Sequence, residues 1–158
     1  MSFKYELERS GNGGMSRAET IIAGQANRAL RDIGQVFTPA LKQNTPVATG
    51  KLANSTRFQL VGSNKNQAVE VRQGARNAAG DFYGMFVRGG TRPHEIRPKK
   101  KGGVLVFKIG GRTIFAKKVN HPGTKANPYH VETERQTSGE IAEIISRTGV
   151  EIASKLMG

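Results

Sequence analysis

The chain has no cysteine and no tryptophan among its 158 residues. Without cysteine there is no disulfide, and no thiolate to bind a metal or attack a substrate. Aromatic residues are scarce, at 7 Phe and 3 Tyr. That leaves little to stack on unpaired bases and disfavours a sequence-reading nucleic-acid module. No apolar run is long enough to cross a bilayer, and none near Met1 has the character of a secretory signal core. No membrane association is expected. Carboxylates are also few: 12 Asp+Glu stand against 25 Lys+Arg, a net charge of +13.

Residues for catalysis are missing in the same way. His94, His121 and His130 are the histidines of the sequence. No two have the i, i+4 spacing of a helical metal motif, and none sits in a carboxylate cluster. There is no Gly-x-Ser-x-Gly elbow, no phosphate-binding loop and no paired-carboxylate motif. Gly110-Gly111 precedes a strand pattern rather than a helix, so it is not a nucleotide loop. The expectation is a protein that is not an enzyme, with no cofactor and no metal. His121, just before Pro122-Gly123, is expected to bond nearby backbone.

What is present is a concentrated positive field. Between Arg88 and Lys118 ten basic residues face a single acid, Glu95, so this stretch supplies nine of the thirteen net positive charges. Such a field attracts a phosphate backbone or an acidic protein surface. A length of 158 residues favours one domain with a real core.

Along the chain, residues 1–15 include Gly11-Asn12-Gly13-Gly14 and read as a flexible arm, with a weak strand signal in Phe3, Tyr5 and Leu7. Ser16-Arg17-Ala18-Glu19 is a capping box. Behind it Ile22, Ala26, Ala29, Ile33, Val36 and Phe37 make one apolar helical stripe. Pro39 predicts a kink or restart near Thr38, and Pro46 ends the helix by about Asn44. Thr45 to Leu52 is a turn into a short helical segment with Thr49 as candidate cap. Thr56–Val61 and Ala68–Arg72 alternate as two strands of a hairpin. Phe82 to Val87 leans towards a short helix. Arg92 to Gly103, with Pro93, Pro98 and Lys99-Lys100-Lys101, reads as a mobile basic loop. Val131 to Leu156 carries helical spacing through Ile141, Ile144, Ile145, Ile152 and Leu156.

The stretch Val104 to Tyr129 organises the rest. Gly110-Gly111 between two apolar runs predicts a tight hairpin, with Ile109 facing Arg112, Phe107 facing Ile114 and Leu105 facing Ala116. One face then carries Leu105, Phe107, Ile109, Ile114 and Ala116; the other carries Val104, Val106, Phe115 and Val119, diluted by Lys108, Thr113 and Lys117. A half-exposed hairpin shows one apolar face, whereas here both want cover. A helix of the same chain is expected over one face and a second subunit over the other.

Several blocks, in order, resemble a known family. Thr45-Pro46-Val47-Ala48-Thr49-Gly50-Lys51-Leu52 with Ser55 is similar to its T-P-x-x-T-G-x-L-x-x-S entry. Tyr83, Val87, Gly90 and Thr91 are similar to a Y-x-x-x-V-x-x-G-T block, and Ile96 to Lys99 to an I-x-P-K segment. Leu105, Phe107, Phe115, Lys118-Val119, His121-Pro122-Gly123 and Asn127-Pro128-Tyr129 resemble its closing strand pair and loop. The family is the gene-product-ten-like class of tail-component or head–tail joining proteins of HK-type siphophages. The resemblance implies a subunit of a ring, hexameric in the family, at the virion neck. It further implies tail-tube and head-connector proteins as partners, assembly in the host cytoplasm, and neither catalysis nor cofactor.

The expected fold is α+β: an antiparallel sheet of about four strands packed by a long N-terminal helix and a long C-terminal helix, as one domain over residues 16–158. The candidate subunit interface is Val104, Val106, Phe115, Val119, His121 and Pro122. The candidate basic loop for contact with a partner or with passing DNA is Arg92, Arg97, Lys99, Lys100 and Lys101. The rival reading is a basic nucleic-acid-binding protein that uses the Arg88–Lys118 charge.

Overall fold

The computed structural model describes residues 4–7, 16–63, 66–77 and 80–158. Of the expected N-terminal arm only 4–7 fall within these; the rest of that expectation lies outside the described residues. The chain is α+β and forms two compact units, Met1–Gly84 with Pro128–Gly158, and Met85–Asn127.

In the first unit, helix α1 (Arg17–Asn44) starts at the expected capping box. The Ser16 hydroxyl accepts from the Glu19 amide at 3.2 Å, and the Glu19 carboxylate accepts from the Ser16 amide at 2.6 Å. Its buried face is Ala23, Ala26, Ala29, Leu30, Ile33, Gly34, Phe37 and Leu41. Three alanines and a glycine on one stripe let neighbours approach closely. Helix α4 (Tyr129–Met157) packs along α1 and buries Tyr129, Thr133, Thr137, Ile141 and Ile144.

Helix α1 does not restart at Pro39, one of the two outcomes expected near Thr38, and it ends at Asn44 as expected. An interior proline costs roughly 3 kcal/mol. Phe37 and Leu41, one on each side of it, are almost wholly buried, and burying side chains of this size contributes about 1.5–3 kcal/mol each. Core packing on both sides holds the helical path through the break.

A three-stranded antiparallel sheet lies against α1 in the order β1 (Lys4–Leu7), β3 (Asn66–Gln73), β2 (Thr56–Ser63). The expected hairpin is β2–β3, from Thr56↔Gln73 to Ser63↔Asn66, and β1 adds to the far side of β3 from Lys4↔Glu70 to Leu7↔Gln67. The segment between α1 and β2 holds the short helix α2 (Lys51–Asn54), whose N-cap is Gly50 at φ 71° rather than Thr49.

The second unit begins one residue into α3 (Gly84–Gly89). It contains β4 (His94–Ile96) paired antiparallel with β7 (Val119–His121), and β5 (Leu105–Ile109) paired antiparallel with β6 (Arg112–Ala116). The strands thus divide among three small sheets rather than joining one. The pairings are nested. From Thr91↔Thr124 through β4–β7 and on to β5–β6, these separate pairings follow one out-and-back excursion, the ribbon, whose sides are unequal in one place. There, residues 97–104 on the outgoing side oppose only 117–118 on the return.

Candidate functional site

The first family-like block turns out to be structural. Thr45 and Thr56 are buried, and both their hydroxyls accept from the Gln73 amide, at 2.9 and 3.1 Å. The Thr45 hydroxyl also donates to the Leu41 carbonyl at 2.5 Å. The Gln73 side-chain carbonyl accepts from the Tyr129 hydroxyl at 2.5 Å. One polar cluster therefore ties together the end of α1, the start of β2, the end of β3 and the start of α4. Ser55 does similar work beside it: its hydroxyl donates to the Leu52 carbonyl at 2.7 Å and accepts from the Ala75 amide at 3.1 Å. A buried network with its members satisfied fixes a unique packing. It offers no activated nucleophile or general base.

The candidate interface residues lie on the ribbon. The predicted hairpin register is the observed one, Leu105↔Ala116, Phe107↔Ile114 and Ile109↔Arg112, with Gly110 and Gly111 at φ 54° and 81°. Val106 and Phe115 are direct cross-strand partners and are 59% and 66% exposed; Val104, just before β5, is 50% exposed. The opposite face does not have the expected cover. Ile109 is 63% exposed and Ile114 36%, while Leu105, Phe107 and Ala116 are only half-buried. Both faces of the hairpin thus present apolar side chains, a concentration that marks interaction surfaces.

Val119 and His121 sit on β7, half-buried, and Pro122 follows them exposed. His121 is the cross-strand partner of His94, and their ring centroids are 5.1 Å apart. The His121 Nδ1 accepts from the Gly123 amide at 3.0 Å, which is the local backbone bond expected of it and places its neutral proton on Nε2. The His94 Nδ1 lies 2.8 Å from the Arg92 carbonyl and so donates to it. With Phe86, Pro93 and Ile96 these two rings line an apolar cleft of about 530 Å³. Sequence reasoning kept the two histidines apart because Pro93 and Pro98 made 92–103 look like loop. The alternation His94-Glu95-Ile96 opposite Val119-Asn120-His121 was the available signal. Among the described residues no group of three or more His, Asp or Glu side chains could hold a metal.

At the root of the ribbon Thr91 and Thr124 exchange backbone bonds, Thr91 N–H to Thr124 O at 2.9 Å and Thr124 N–H to Thr91 O at 3.1 Å. Gly90 and Gly123 flank this pair at φ 70° and 88°. A Cβ on Gly90 would lie 2.4 Å from the Thr124 carbonyl oxygen, and one on Gly123 would lie 2.3 Å from that of Thr91. Only glycine fits either place.

The basic candidates Arg92, Arg97, Lys99, Lys100 and Lys101 are all exposed. Arg92 stands near the root; the other four stand where the ribbon's two sides are unequal. The second unit holds eleven basic residues and one acid, a net +10. That acid, Glu95, bonds the Arg97 guanidinium and, at 3.1 Å, the Lys118 ammonium. The Arg97 hydrogen bond first, then that of Lys118, holds its carboxyl below the usual 4.5.

Residues 14–90 match the model of the HK97-gp10-like family, described as "Bacteriophage HK97-gp10, putative tail-component". The match takes in α1, the buried polar cluster up to Gln73, the β2–β3 hairpin and α3. No curated protein and no solved structure matches the chain.

Proposed function

We propose that this chain, which matches a phage tail-component family over residues 14–90, is a structural subunit of head–tail joining or tail completion. In this reading it assembles as a ring at the neck of the virion and acts by docking rather than chemistry. The observation that carries it is the ribbon. Val104, Val106, Ile109 and Phe115 are each half or more exposed on an ordered, regularly paired hairpin. A lone subunit gains nothing by ordering a two-stranded ribbon with two apolar faces, since an isolated hairpin is marginal in water. A second copy that buries one face supplies the missing cover. The apolar cleft beside His94 and His121 is a second apolar surface on the same unit. A head-to-tail contact of this kind closes into a ring when the rotation per subunit divides a full turn. The family resemblance makes six the expected number, with tail-tube and head-connector proteins on the two sides of the ring.

The test is the molar mass of the full chain by light scattering, alone and with tail-tube protein, beside Val106→Glu and Phe115→Glu. Oligomers that the two substitutions dissolve are expected. A strict monomer under both conditions overturns the reading.

A further inference from the structure

Beyond docking, the ribbon gathers charge at one place. Ile96 pairs with Val119, so the residues next outward, Arg97 and Lys118, leave the β4–β7 ladder side by side, with Lys117 beyond. Lys99, Lys100 and Lys101 follow within a few residues. A turn closed by the Gly103 amide on the Lys100 carbonyl, at 3.0 Å, holds them there with Gly102 at φ 77°. Six cations therefore lie in the two segments, 97–101 and 117–118, that leave one end of the ladder. The carboxylate of Glu95 is engaged by Arg97 and Lys118, and the unit has no second acid. Three adjacent lysines on an ordered turn repel one another, and a polyanion relieves that repulsion.

We propose that this end of the β4–β7 ribbon, centred on Lys99, Lys100, Lys101 and Lys117, binds the phosphate backbone of duplex DNA without reading its sequence. Its composition separates it from the hairpin. Within 97–103 stand Pro98, Gly102 and Gly103 and no large apolar side chain; exposed Ile96 and Val104 lie at its two borders. Duplex DNA presents about one negative charge per 1.7 Å of axis, a density that matches clustered point charges. Lysine ammoniums on a turn neutralise phosphates. They lack the bidentate forks on a helix or ribbon edge that read bases in a groove. This inference concerns charge at the lysine turn and stands apart from ring formation by the hairpin.

The experiment is fluorescence anisotropy of the full chain with two labelled duplexes of about 30 base pairs and unrelated sequence, from about 50 to 300 mM salt. Equal affinity for both duplexes is expected, with log K falling linearly against log salt at a slope of about −4 to −5. Changing Lys99, Lys100 and Lys101 together to alanine should flatten that slope by about 3 and weaken binding about tenfold or more near 150 mM salt. The same three changed to arginine should retain binding. An unchanged affinity in the triple alanine variant overturns the proposal, as does an absence of salt dependence. Equal binding of poly-glutamate overturns it in favour of an acidic protein surface. A monomer that binds DNA in this way would remove the ring and leave this inference standing.

Discussion

The Tyr129 hydroxyl donates to the Gln73 side-chain carbonyl at 2.5 Å, and both residues are buried. Fifty-six positions separate them in the chain. Through Gln73 the bond reaches Thr45 and Thr56, so the four element ends that meet there are held as one. Tyr129→Phe keeps the ring and removes the donor, which leaves the Gln73 carbonyl without that bond at a buried position. A loss of about 1–3 kcal/mol is expected. Urea unfolding of the variant beside the parent chain measures it, and an unchanged midpoint contradicts the role given to this cluster.

Gly34 of α1 lies under the Phe58 ring of β2. A Cβ built on Gly34 would fall 2.5 Å from the ring's Cδ2 and 2.8 Å from Cγ. Glycine in a helix interior costs about 1 kcal/mol against alanine, whereas overpacking costs about 1–3 kcal/mol. Gly34→Ala is therefore expected to destabilise despite the better helix former. In a Phe58→Ala background the same change should be neutral or stabilising, because Cγ and the ring atoms it strikes are gone. A double-mutant cycle gives the coupling directly, and simple additivity would show that the ring moves aside freely.

Glu95 is expected to titrate below 4.5, because Arg97 first and Lys118 second stabilise its charged form. A depressed folded-state value contributes stability above the unfolded-state value, and that contribution fades as pH falls through the folded one. The effect is thus full at neutral pH and vanishes only in acid below 4.5. Carboxyl-carbon NMR against pH reads the titration, and Arg97→Ala should move it back up. A Glu95 that titrates at or above 4.5 in the parent chain would show the pair open in solution.

Local signals in the sequence carried much of this architecture. The Ser16–Glu19 box marks the start of α1, Pro46 marks its end, and Gly110-Gly111 sets the hairpin register residue by residue. Each is a short-range device whose physics is complete within a few positions. What sequence reasoning missed depends on contacts it cannot see. The passage of α1 through Pro39 rests on the burial of Phe37 and Leu41. Gly50 rather than Thr49 caps α2 because the incoming chain arrives in a left-handed conformation. The β4–β7 ladder joins two three-residue strands 22 residues apart, too short to show a period. The buried polar cluster draws Thr45, Thr56, Gln73 and Tyr129 from the ends of four separate elements. Apolar alternation in 104–119 identified the candidate docking surface, yet it wrongly assigned the Ile109 and Ile114 side a cover.

The paired bonds of Thr91 and Thr124 mean that the ribbon departs and returns through a single doorway. Residues 92–123 are in effect a loop tied off at its neck by two glycine-flanked knots. Lengthening, shortening or exchanging that excursion alters how far the chain reaches while leaving its point of attachment intact. Insertions beyond the knot would therefore lengthen the excursion with no change to the residues that form the knot.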